Sequence, residues 1–107
     1  MGQLVIVAYR PKPGKEKQLL ALLKEHVPIL RRQGLASQRK PLIMRTAEGV
    51  LVEVFEWKSR AALDQAHSNP AVQAMWVKFE EVCEYEPLAN LPEGKQLFPA
   101  FEPVDLG

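Results

Sequence analysis

Apolar residues open the chain in one compact run. Leu4 to Tyr9 is rich in β-branched side chains and reads as a buried strand. Pro11, Pro13 and Gly14 stop it. From Lys15 the spacing changes to threes and fours. Leu19, Leu22, Leu23, Val27 and Leu30 draw one stripe along a helix. Pro28 lies inside that stripe and, having no backbone donor, should kink the last turn or begin a new one. Gly34 is placed to end the helix.

Pro41–Arg45 and Val50–Trp57 read as two strands joined by a short turn at Ala47-Glu48-Gly49, where Gly49 is free to take positive φ. In the second strand Val50, Val52 and Val54 point one way, and Leu51, Glu53, Phe55 and Trp57 the other. Both faces carry apolar residues, so both faces of the sheet need cover. Ser59 is a suitable N-cap for a short helix from Arg60 to about His67. Asn69-Pro70 repeats the signal, with proline at the first helical position. Val72, Met75, Trp76, Phe79 and Val82 then follow at helical spacing to about Glu84. Pro87–Leu91 is the expected last strand, and the residues from Pro92 form an extended arm whose Phe98 and Phe101 should dock on the domain.

The order is strand, helix, hairpin, helix pair, strand. This is the βαββαβ pattern of an α+β, ferredoxin-like antiparallel sheet with helices on one face. The expectation is one domain over 1–107, with its core at about 4–91 and the arm at 92–107. Helices on one face leave the other bare and apolar. A bare face of that extent calls for a partner, and a second copy across a two-fold axis is the simplest one.

Composition narrows the class. Fourteen basic and thirteen acidic residues leave a formal charge of +1. Such a balance makes no field for phosphate backbones or anionic lipid, so neither nucleic acid nor membrane is the expected partner. One cysteine, Cys83, cannot close a disulfide within the chain, which favours a cytoplasmic setting. The Leu4–Ala8 run is too short for a signal-peptide core and lacks a basic stretch before it. Ile6 breaks the myristoylation pattern that Gly2 would begin. No glycine-rich nucleotide motif occurs, and His26, His67 and Cys83 lack the close pairing of zinc ligands. No metal or other cofactor is expected.

Several residues could carry chemistry, each with a plainer role beside it. Glu53 lies in mid-strand on the face of Phe55 and Trp57. Buried there it could serve as a base, or it could pair with Arg45 across the hairpin or with Arg10 on the neighbouring strand. His67, at the junction of the two later helices, is a proton acceptor suited to neutral pH, or a side chain that caps helical carbonyls. His26 falls on the stripe of Leu19, Leu22 and Leu30. It lines a pocket or sits hydrogen-bonded in the core. Trp57, Met75, Trp76 and Phe79 could wall a flat ligand or only pack. Tyr9 shares a face with Val5 and Val7, where its hydroxyl could bond a substrate. Cys83, beside the apolar stripe of the last helix, reads as buried and inert.

Two blocks of sequence resemble a known family. Tyr9-Arg10-Pro11-Lys12-Pro13-Gly14-Lys15-Glu16 is similar to the strand-to-helix opening of the antibiotic biosynthesis monooxygenases. So is Glu53-Val54-Phe55-Glu56-Trp57-Lys58-Ser59, followed by Ala61-Ala62-Leu63 and His67-Ser68-Asn69-Pro70. The resemblance covers about residues 4–91. It implies a dimeric α+β barrel, a homodimer in which two ferredoxin-like sheets meet face to face. It turns Tyr9 toward the pocket and puts a family histidine near His67. The family mixes cofactor-free monooxygenases of phenol- or quinol-like compounds with haem-degrading enzymes. The haem-degrading pattern needs Asn, Trp and His where this chain has Val7, Ala66 and Trp76, so that activity is disfavoured. The expected function is a cofactor-independent monooxygenase acting on a small aromatic compound, with His67 or Glu53 as base. The alternative is a non-catalytic barrel that binds a small apolar ligand or serves in assembly.

Overall fold

The computed structural model describes residues 1–107. Five strands form one open antiparallel sheet in the order β4-β1-β3-β2-β5. The strands are β1 (Gln3–Pro11), β2 (Leu42–Arg45), β3 (Leu51–Trp57), β4 (Cys83–Glu86) and β5 (Glu102–Pro103). Three helices, α1 (Glu16–Arg32), α2 (Arg60–Ala66) and α3 (Pro70–Val82), complete the ferredoxin-like arrangement. No helix is long and apolar enough to cross a membrane.

Local chemistry sets these boundaries. Gly34 has φ 73° and ends α1, a conformation that would strain any residue bearing a Cβ. Pro28 neither breaks α1 nor starts a new helix; it only leaves the Lys24 carbonyl without its usual donor. Ser59 Oγ accepts from the Ala62 N–H at 3.0 Å, and Asn69 Oδ1 from the Val72 N–H at 3.1 Å. These caps start α2 and α3 where the sequence places them. Gly49 has φ 89° in the β2–β3 turn, which the Thr46 hydroxyl closes by accepting from the Val50 N–H.

The sequence expectation fails at the last strand. Helix α3 passes into β4 with no intervening turn, because Cys83 already has extended angles (φ −152°, ψ 170°). Pairing with β1, Arg10 opposite Glu84 and Tyr9 opposite Tyr85, holds that stretch extended where helical periodicity alone would carry on. Residues Leu88–Asn90, expected as the strand, form a 3-10 turn instead.

The two sheet faces differ. On the inner face Tyr9, Ile43, Leu51, Phe55 and Trp57 meet Leu19, Leu23, Val27 and Leu30 of α1 and Val72, Met75 and Phe79 of α3, forming the main core. The outer face is not wholly bare, as the sequence suggested. Leu91, just before the arm, and Phe101 within it cover part of that face: Leu91 is buried with Ala8, Val50 and Val52, and Phe101 and Met44 pack on the cluster. Phe98 does not dock and stays 86% exposed. The other half carries Leu4, Ile6 and Leu42, at 60%, 52% and 62% exposure.

Candidate functional site

Between the inner sheet face and the helices lies a pocket of about 310 Å³. Its walls are Val5, Val7 and Tyr9 of β1, Phe55 and Trp57 of β3, Trp76, Phe79 and Glu80 of α3, Tyr85 of β4 and His26 of α1. The volume is at the low end of small-molecule sites and suits a ligand of one or two rings. Most of the lining is apolar. Strand alternation supplies it, since Val5 opposes Phe55 and Val7 opposes Glu53, so these side chains share one face.

One polar cluster interrupts the apolar wall. Glu53 is completely buried. Its carboxylate accepts the Tyr9 hydroxyl at 2.7 Å through Oε1. His26 Nδ1 lies 2.9 Å from Oε1 and 3.1 Å from Oε2. The nitrogen is thus within hydrogen-bond reach of both carboxyl oxygens. A carboxyl group in so dry a place is tolerable only because Tyr9 and His26 both partner it.

Aromatic packing fixes the donors. The His26 ring stands edge-on to Phe55 and Phe79, with centroids 5.1 and 5.2 Å away. Tyr9 stacks on Phe79 at 5.3 Å. Burial, and then the Glu53 charge, hold the Tyr9 hydroxyl well above its ordinary pKa of 10.0. Tyr9 therefore remains a donor throughout the neutral range. Burial likewise pushes Tyr85 up to about 12 and Cys83 up to about 11.

Glu53 has neither arginine partner that the sequence offered. Its cross-strand neighbours are Ile43 and Val7. Arg45 instead reaches Glu16 at 2.6 Å and Glu102 at 3.0 Å, and Arg10 reaches Glu86 at 2.7 Å. The structure thus brings together Tyr9, His26 and Glu53, with Trp57, Trp76 and Phe79 around them. His67 stands apart: it follows α2, is exposed and packs on Trp76 at 5.4 Å, outside the pocket lining. Met75 belongs to the core and not to the lining. Cys83 is buried and its thiol donates to the Phe79 carbonyl at 3.1 Å.

Sequence reasoning passed over Glu80 and Tyr85, which border the pocket. Tyr85 was findable: alternation through Cys83-Glu84-Tyr85-Glu86 puts it two residues from Cys83, on the face of Tyr9. The signal was hidden because α3 ends without a glycine or proline.

Comparison with known proteins agrees with this architecture. No curated protein matches the chain significantly. The structure of Rv0793 from Mycobacterium tuberculosis is similar, with a TM-score of 0.62 and 25% identity, over 81% of this chain and 87% of that one. The family model described as antibiotic biosynthesis monooxygenase matches residues 3–77, well over half of the sequence. With its fold and most of its length accounted for in this way, the chain belongs to the antibiotic biosynthesis monooxygenase family.

Proposed function

We propose that the inner pocket binds a small flat aromatic compound bearing an ionisable hydroxyl, and that the protein oxidises it with dioxygen and no bound cofactor. The observation that carries this reading is an aromatic-walled cavity whose polar lining is Tyr9 and His26, both bonded to the buried Glu53 behind them, with Glu80 and Tyr85 beside them. Apolar walls suit a ring, and the polar cluster suits its hydroxyl. Membership of the monooxygenase family supports the same reading.

The chemistry balances without a further reductant. Loss of the hydroxyl proton makes the ring electron-rich enough to give one electron to O2. Recombination at a ring carbon bearing hydrogen forms a C–O bond and a hydroperoxide. Breaking the O–O bond with loss of water leaves a second carbonyl. A phenol and O2 thus become a quinone and water, one oxygen atom going to each. The chain's part is to exclude water, hold the ring and accept the proton.

The outer face supports a companion reading, that two copies meet there. Leu4, Ile6 and Leu42 lie exposed beside the half that the arm covers, and a second copy would remove them from water.

The test is oxygen uptake by metal-free, flavin-free protein with a panel of phenols and hydroquinones, alongside tryptophan fluorescence to report binding near Trp57 and Trp76. Uptake that saturates with the fluorescence change supports the reading. Saturable binding with no uptake by any member would make the protein a binding module, and no binding would remove the pocket from consideration.

A further inference from the structure

We infer that His26 is the proton acceptor of the pocket, and that Glu53 and Tyr9 are positioning residues which hold it in that role. This inference rests on the pocket being the ligand site, and not on the oxygen chemistry.

Glu53 is the obvious base in the sequence, yet its surroundings disqualify it. Both carboxylate oxygens already face donors, and the side chain has no exposed surface. A ligand hydroxyl could reach it only by displacing Tyr9 or His26. His67 fails on position, since it does not line the pocket. His26 meets both requirements. Its Nδ1 is taken by Glu53, which leaves Nε2 with no partner in the chain. Nor is Nε2 sealed in the core, because the one wholly buried side-chain polar atom without a partner is Oε1 of Glu93. With the ring lining the cavity and its Nδ1 edge turned to Glu53, Nε2 is the edge left for a ligand.

The roles follow from the donor inventory. Tyr9 keeps its proton and gives its hydrogen bond to Glu53. Glu53, in this role the acceptor from both Tyr9 and Nδ1, fixes the imidazole with hydrogen on Nδ1 and a lone pair on Nε2. When a ligand O–H breaks, its proton forms an N–H bond at Nε2, and the oxygen keeps the electron pair. Glu53 then faces an imidazolium, whose charge it balances at hydrogen-bond distance. Phe55 and Phe79 block ring rotation, so the lone pair stays aimed. The ligand class is a neutral weak O–H acid on an aromatic ring. The other ionisable groups near the site are few: Tyr85 of β4 and Glu80 of α3 at the pocket, and Cys83 beside Tyr9. The Tyr85 and Cys83 protons are held to about pH 12 and 11, so neither competes for the ligand proton near neutrality.

The experiment uses p-nitrophenol, whose absorption distinguishes phenol from phenolate, and p-nitroanisole, which has no proton to give. At a pH below the free ligand's own ionisation, the wild-type protein should hold p-nitrophenol as phenolate, at least tenfold above the free-ligand proportion. His26→Gln should abolish that excess, read as the phenolate share of the bound p-nitrophenol, with p-nitroanisole binding showing that the pocket still takes a ring. Glu53→Gln, which cannot balance an imidazolium, should reduce it severalfold, and Tyr9→Phe should reduce it least. Wild-type protein that binds p-nitrophenol as neutral phenol would overturn the inference and leave the pocket reading standing, with no variant needed. Persistence of the excess in His26→Gln would overturn it equally. Phenolate formation without oxygen uptake from any phenol would uphold the proton acceptor and defeat the oxidation.

Discussion

Strand β3 presents two glutamates to two different worlds. Glu53, on the inner face, is wholly buried and gathers Tyr9 and His26 around it. Glu56, on the outer face, keeps 17% of its side chain exposed and shares its carboxylate with Arg39 at 3.4 Å. One face of the sheet is closed by the chain's own helices and holds a carboxyl group in its dry core. The other is closed only in part by its own arm and keeps Leu4, Ile6 and Leu42 in contact with water. The inner face is therefore where chemistry can be kept from solvent, and the outer face is where another surface can be received.

Removing Glu53 should have the largest effect. Glu53→Ala strands the Tyr9 hydroxyl and the His26 Nδ1–H in the core and leaves a hole. We expect a loss of roughly 3–5 kcal/mol in urea unfolding. Glu56→Ala should shift the midpoint far less; equal effects would erase the distinction between the faces. Next comes the arm. Leu91, which leads into the arm, is 1% exposed against Ala8, Val50 and Val52, so Leu91→Ala should cost about 2–4 kcal/mol if this cover is part of the folded unit. A negligible loss would mean that the arm's cover is dispensable.

Charging the open half of the outer face should change assembly more than stability. The Leu4→Lys, Ile6→Lys pair should lower stability by under about 1 kcal/mol. It should convert a sedimenting dimer to monomer if two copies meet there. A dimer that survives both substitutions would place the contact elsewhere. The doubly substituted protein should still bind an aromatic ligand in the inner pocket.

The smallest effect is an alkaline one and belongs to the inner face. Cys83 rises from 9.0 to about 11 and Tyr85 from 10.0 to about 12 by burial, and Tyr9 is likewise held well above 10.0. The folded state holds these protons more tightly than the unfolded chain does. Their contribution is complete below pH 9 and is lost as pH climbs from 9 toward 12. The urea midpoint should fall over that window, and Cys83→Ala and Tyr85→Phe should each flatten the fall. A midpoint that stays level would show that these groups titrate as they do in the open chain.

Much of the fold was legible because local patterns and tertiary structure agree. The Leu4–Tyr9 strand, the α1 stripe, the Ser59 and Asn69 caps and the Gly49 turn are each set by residues close together in the chain. The α3–β4 junction was not legible, because long-range pairing with β1 overrides a helical pattern that no breaker interrupts. The site was half legible. Tyr9, His26 and Glu53 each stood out alone, as a strand tyrosine, a histidine on an apolar stripe and a mid-strand carboxylate. Their meeting depends on the register that sets Val7 against Glu53 and on the angle of α1 over the sheet. Neither is encoded by spacing, so Arg45 and Arg10 seemed equal partners for Glu53 until the pairing was known.

The imidazole of His26 offers the most direct test of the account. Nitrogen NMR of histidine-labelled protein at neutral pH should show hydrogen on Nδ1 and none on Nε2. Adding p-nitrophenol should protonate Nε2 while Nδ1 stays bonded to Glu53. A free ring with hydrogen on Nε2 and a bare Nδ1 would mean that Glu53 carries the proton, and that the pocket has no base where we place one.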